Sequence, residues 1–143
     1  MNKTSIRPSI NFYIISSLAL IWNLIGVFAY LGQTFMEEQA LSSLSKNEHY
    51  YFFNMPAWVT AVFASAVFSG VFGSVCMLLK KRIAKILYSI SIVSLLAHQV
   101  YNLFIQEYIV ISGVGLLLPI STTVIGFFLL WYSHEVSKQG VLN

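Results

Sequence analysis

The sequence predicts an all-α protein, a transmembrane antiparallel four-helix bundle, on three observations. Hydrophobic residues make up 57% of the 143-residue chain and charged residues only 9%, against about 25% charged in soluble domains. The mean hydropathy is +0.75, which suits a chain whose main solvent is lipid. The apolar residues also fall into four runs long enough to cross a bilayer, since a spanning helix needs about 20 of them. Four such spans use more than half of the chain and imply a single domain over residues 1–143, with no room for a separate soluble enzyme domain.

The first run, about residues 12–35, follows Lys3 and Arg7. It is longer than the apolar core of a signal peptide, about 7–15 residues, and lacks an A-x-A-like cleavage site, so it reads as a retained span. The second, about 57–79, starts behind Pro56, whose missing N–H costs nothing at a helix start. The third covers about 86–106. The fourth, about 110–132, is the least sharply bounded and contains Pro119, which removes one backbone hydrogen bond and predicts a kink. The loop 36–56 is the one sizeable extramembrane segment. Within it, Glu38 to Leu44 fits either a short surface helix with Leu41 and Leu44 facing lipid or a flexible loop.

Orientation follows from the basic residues, because loops rich in Lys and Arg stay on the cytoplasmic side. Lys3 and Arg7 precede the first span, Lys80, Lys81, Arg82 and Lys85 lie between the second and third, and Lys138 follows the fourth. Only Lys46 falls on the other side, together with Glu37, Glu38, Glu48 and Glu107. Both termini are therefore expected in the cytoplasm, in a multi-pass protein of the inner cell membrane. Tyr50, Tyr51, Phe52, Phe53 and Trp58 cluster at the outer edge of the second span, where amphipathic rings favour the headgroup zone.

Small and polar residues inside the spans mark where helices meet or chemistry sits. Ala61, Ser65, Ser69 and Gly73 recur every four residues along the second span and predict a close-packing face, with Ala66, Gly70 and Ser74 as a second small stripe beside it. In a functional reading Ser65 and Ser69 would line a solute path. Asn23, Gly26, Tyr30 and Gln33 share a face of the first span, Ser91, Ser94, His98 and Asn102 share one on the third, and Thr122 lies on a polar face of the fourth. Position along each run places Asn23, Ser69, His98 and Thr122 near mid-membrane, while Tyr30, Gln33 and Asn102 extend the polar lining outward. A cavity built from these groups is expected to open to the outside. His98 has two readings: a functional group at membrane depth, or a packing histidine hydrogen-bonded to Asn23, Thr122 or a backbone carbonyl.

The same residues count against several function classes. The net charge of +3 comes without a basic stripe on a soluble module, so nucleic acid is not an expected partner. The single cysteine, Cys76, offers neither a disulfide nor a metal or redox motif. His49 and His134 lie outside the membrane, so one chain lacks a second histidine for haem, and no acidic or thiol ligand accompanies His98 for a metal. There is no HExxH, G-x-S-x-G or P-loop pattern, and all acidic residues lie at or beyond the membrane edges. No catalytic residue, metal or cofactor is expected.

The stretches Ile21-Trp22-Asn23-Leu24-Ile25-Gly26-Val27-Phe28-Ala29-Tyr30 and Met55-Pro56-Ala57-Trp58-Val59-Thr60-Ala61 resemble a group of small bacterial four-helix membrane proteins often labelled "sugar transporter". The resemblance reaches to about Phe104 and singles out Trp22, Asn23, Gly26, Pro56 and Trp58; it implies no catalytic residues. In helix count and size the plan also looks like DoxX-type proteins. The leading expectation is that Asn23, Tyr30, Gln33, His98, Asn102 and Thr122 bind or pass a small uncharged polar solute, such as a polyol. The rival is a non-transporting protein that joins another membrane protein, or a second copy of itself, through the small face of the second span.

Overall fold

The computed structural model describes residues 7–143, and Lys3 lies outside the described residues. Its first helix, α1, covers Ile10–Thr34 and starts at Ser9, whose hydroxyl accepts the Phe12 N–H at 3.3 Å. This cap satisfies one of the backbone donors that a helix start leaves free. Two short helices, α2 (Glu38–Ser42) and α3 (Lys46–Phe53), occupy the loop before α4 (Ala57–Leu78). The loop is therefore helical, but Leu41 and Leu44 line a shallow depression with His49, Tyr50 and Phe53 of α3 rather than standing free. A reciprocal capping box starts α3: the Ser45 N–H donates to Glu48 at 2.9 Å and the Glu48 N–H donates to Ser45 Oγ at 3.4 Å. Those bonds from Ser45 hold the Glu48 carboxyl below its usual range.

The basic turn Lys80–Ile83 joins α4 to α5 (Ala84–Val100), with Lys80 in the left-handed region at φ 57°. The Lys80 and Lys81 N–H groups close the end of α4 on the Met77 and Cys76 carbonyls, at 2.8 and 2.7 Å. One π-helical turn, Tyr101–Ile105, continues α5, and the Gln106 side chain ends it by accepting the Tyr108 and Ile109 N–H groups. A 3-10 turn, Gly113–Leu116, leads into α6, Leu117–Lys138. α1, α4, α5 with its π turn, and α6 with its 3-10 turn are each long and apolar enough to cross a membrane. The chain is a multi-pass membrane protein.

One expectation for the fourth span is corrected. Pro119 does not kink a helix interior, because α6 begins at Leu117 and places it in the first turn, where backbone N–H groups have no helical partner to lose. The helix also runs six residues beyond Tyr132. Ser133 and Val136 are buried there, so packing holds this last turn and a half.

The four long helices pack in chain order, α1 on α4, α4 on α5 and α5 on α6, while α1 and α6 form no comparable interface. Two clusters brace the ends of this open row. At the end near the Lys80 turn, Phe12, Met77, Ala84, Leu129 and Val136 close around Val141 and Leu142 of the C-terminal tail. The tail is tied down by backbone bonds between Arg82 N–H and the Asn143 carbonyl at 3.0 Å and between Asn143 N–H and the Lys80 carbonyl at 2.6 Å. The Arg82 side chain donates to the Leu142 carbonyl at 3.1 Å. At the opposite end Tyr51, Val59 and Tyr101 form the second cluster, under Phe52, Met55 and Ile109.

Candidate functional site

A cleft of about 360 Å³ lies between these clusters, walled by α1 and α6 and floored by α4 and α5. Its size falls within the usual range for small-molecule sites, about 300–1,000 Å³. Trp22, Gly26, Phe63, Val67, Leu95, Leu118 and Ile125 make most of the surface apolar. Polar groups in its lining come from Asn23 of α1, Ser91, His98 and Gln99 of α5, Asn102 of the π turn and Thr122 of α6. Among the described residues, none that lines it is charged.

Each polar group is held by a neighbour. Asn23 Nδ2 donates to the Ala19 carbonyl at 2.8 Å and to Ser74 Oγ at 3.3 Å, and Ser74 pairs with the Tyr88 hydroxyl at 2.9 Å. Ser91 Oγ donates to the Ala66 carbonyl at 2.7 Å, which fixes α5 against α4. Gln99 Nε2 bridges α5 to α6 by donating to the Pro119 carbonyl at 2.9 Å and to Thr122 Oγ1 at 3.0 Å. The His98 ring stacks on Phe63 at 4.4 Å between centroids. Its nitrogens lie 3.2 Å from Asn102 Nδ2, which also donates to the His98 carbonyl at 3.0 Å. Asn102 Oδ1 accepts the Tyr51 hydroxyl. Asn102 sits in the π turn, and its amide joins Tyr51 on one side to His98 on the other.

Four of the six expected binding residues, Asn23, His98, Asn102 and Thr122, therefore line one cleft, and Tyr30 and Gln33 do not. Tyr30 packs edge-on against Phe63 and Phe68, and Gln33 Nε2 points to Met55 Sδ at 3.3 Å. The shared face of α1 is mostly its packing face on α4: Asn23 meets Gly70 and Ser74, Gly26 meets Val67, and Tyr30 meets Phe63. Nor do the polar groups converge at one depth. Asn23 sits beside Gly70 and Ser91, whereas His98 lies seven residues along α5 from Ser91, about 10 Å away. His98 accordingly bonds to Asn102 rather than to Asn23 or Thr122.

The small-residue face of α4 is used within the chain. Ser69 and Gly73 are buried, Gly73 against Tyr88 and Leu87, while Ala61 and Ser65 are exposed and Ser65 Oγ accepts from Ser94 at 3.1 Å. The neighbouring stripe Ala66, Gly70 and Ser74 is the fully buried one. Neither Ser65 nor Ser69 reaches the cleft. Sequence reasoning gave no role to Tyr88, which is buried in an apolar run at the cleft's inner end; its place three residues before Ser91 and seven before Leu95 was the available signal.

The expected outward opening is replaced by a lateral one. Tyr51 and Ile111 roof the cleft toward the loop helices, and the tail cluster closes the other end. Along its flanks Ile25 is 57% and Leu118 68% exposed, and the gap between α1 and α6 faces the surrounding medium. No group of three or more His, Cys, Asp or Glu able to hold a metal occurs among the described residues. Comparison with models of protein families, with curated proteins and with solved structures returned no match.

Burial next to the Tyr101 hydroxyl pushes the Tyr51 phenol from about 10 up to about 12. The folded state thus holds this proton more tightly than the unfolded one, so the contribution is intact below pH 10 and is lost as pH rises from 10 through 12. Docking of α3 is expected to weaken over that window, read as faster proteolysis of residues 36–56 in step with tyrosinate absorbance. Tyr51→Phe should flatten the pH dependence.

Proposed function

We propose that this integral membrane protein binds a small uncharged molecule in the cleft between α1 and α6. The observation that carries the reading is the lining: apolar walls, amide and hydroxyl groups from three helices, and no charged residue. An uncharged ligand is favoured because an ion would be buried there without a counter-charge. A single copy supports binding rather than passage, since both ends of the cleft are covered. The four spans form an antiparallel bundle in the inner cell membrane with both termini in the cytoplasm. Supporting this, Gly73, Ser65 and Phe63 of α4 meet Tyr88, Ser94 and His98 of α5 in opposite chain order, and the tail packs beside the basic turn.

Trp22 lines the cleft and reports on it once Trp58 and Trp131 are replaced by Phe. Glycerol, xylitol and 1-decanol are compared with decanoate and decylammonium. At least one alcohol is expected to shift Trp22 emission saturably, the ions should not, and Ala29→Phe, at an exposed cleft-wall position, should abolish the response. No saturable response to any alcohol, or an equal one to the ions, overturns the reading. For orientation, cysteines placed at Lys81 in a Cys76→Ser background should resist impermeant maleimide in intact cells and react after lysis. Cysteines at Asn47 should react in both.

The rival reading, a partner protein joined through the small face of α4, has less to stand on. Gly70 and Gly73 are already covered by Asn23 and Tyr88.

A further inference from the structure

Resting on the cleft as a binding site, we infer that its occupant is a single-chain amphiphile with an uncharged hydroxyl-bearing head, such as a long-chain alcohol or monoacylglycerol, which enters sideways from the bilayer between α1 and α6. The shape is the first argument. From Tyr88 to Asn102 the lining extends fourteen residues along α5, about 21 Å. Its volume of about 360 Å³ is thus drawn out along the helix axis rather than gathered in a rounded chamber. An elongated, mostly apolar cleft of this length suits one extended hydrocarbon chain.

The second argument is the distribution of polarity. Tyr88, Ile125, Gly126 and Leu129 wall the inner part, with Asn23 and Ser91 the polar groups nearest to it, whereas His98, Gln99, Asn102 and Thr122 gather at the outer part beneath Tyr51. The Gln99 amide spends its N–H₂ group on Pro119 and Thr122, which leaves Oε1 as an acceptor. An accessible acceptor without a donor in a mostly apolar cleft suits a ligand O–H, which can donate to it. Access is the third argument. The tail cluster and Tyr51 stand at its two ends, while Ile25, Ala29 and Leu118 are exposed along the flanks of helices long and apolar enough to cross a bilayer, where acyl chains would surround them.

The test uses the full chain in lipid nanodiscs, in two variants that keep only Trp22 or only Trp131; Trp131 is 59% exposed on α6 and serves as the lipid-facing control. A bromine-labelled long-chain alcohol is titrated into the discs. Trp22 is expected to be quenched saturably at low mole fraction, and Trp131 only in proportion to the bromine content of the bilayer. Gln99→Leu should weaken the saturable phase about tenfold, the loss of one ligand hydrogen bond, and Ala29→Phe should abolish it. The equivalent brominated fatty acid should show no saturable phase. Quenching of Trp22 that merely tracks Trp131, or an equal effect of the fatty acid, overturns the inference. If glycerol or xylitol shifts Trp22 saturably while the brominated alcohol does not, the amphiphile is wrong and the binding cleft stands. If no alcohol acts, both fall. A dimer that Ala29→Phe converts to monomer would assign the cleft to a second copy and also overturn the inference.

Discussion

Gly70→Ala is expected to destabilise the protein by about 1–3 kcal/mol, the cost of forcing extra volume into a packed contact. Helix propensity alone argues the opposite sign, because Ala is favoured over Gly in a helix interior by about 1 kcal/mol. The steric term decides. A Cβ at position 70 would lie 2.0 Å from Asn23 Oδ1 and 2.8 Å from its Cγ, with Ser91 Oγ at 3.2 Å. Asn23 could escape only by giving up its bonds to Ala19 and Ser74, and the Ser74–Tyr88 pair would lose its neighbour with it. Reversible unfolding in mixed micelles gives the magnitude, and a double-mutant cycle assigns the cause. With Asn23→Ala already present, Gly70→Ala should be neutral or stabilising. An additive cycle, or a Gly70→Ala protein as stable as the parent, would mean that α1 does not approach α4 this closely.

That contact shows what could be read from the residues and what could not. Four spans were visible because a run of apolar residues about 20 long has few other uses. The basic cluster around Lys80 to Lys85 marked the turn between α4 and α5 equally well. A polar stripe at helical spacing, however, says only that residues share a face. Asn23, Gly26, Tyr30 and Gln33 do share one, and it is directed at α4, so the outer two leave the cleft for Phe63 and Met55. Depth by residue count failed for a related reason: the helices are staggered, so Ser91 rather than His98 comes level with Asn23. The π turn that holds Asn102, and the bond it makes with Tyr51, leave no mark in composition. The lateral gap depends on α1 and α6 staying apart, a matter of tertiary packing that no single segment encodes.

The second large effect is expected at the opposite end of the molecule. Leu142→Ala should cost about 2–5 kcal/mol of tail docking, the range for emptying a fully buried leucine site. Leu142 has no exposed surface and packs in one cluster with Phe12, Met77, Ala84 and Val136. Unlike an apolar residue inside a span, it sits after the last helix, so undocking moves it into water rather than lipid, and the full aqueous transfer term applies. Helices α1, α4, α5 and α6 would remain in the membrane. The loss should therefore appear as local opening and not as global unfolding. Amide exchange can distinguish the two: the Arg82 and Asn143 N–H groups, which bond to Asn143 and Lys80 across this seam, should exchange at least tenfold faster in Leu142→Ala. Amides in the middle of α4 should keep their protection. Arg82→Ala, which removes only the side-chain bond to the Leu142 carbonyl, should produce a smaller acceleration at the same sites, because the apolar contacts that hold the tail stay in place. Equal acceleration in both variants would place the holding energy in the Arg82 bond, and acceleration spread into α4 would make the tail part of the global core.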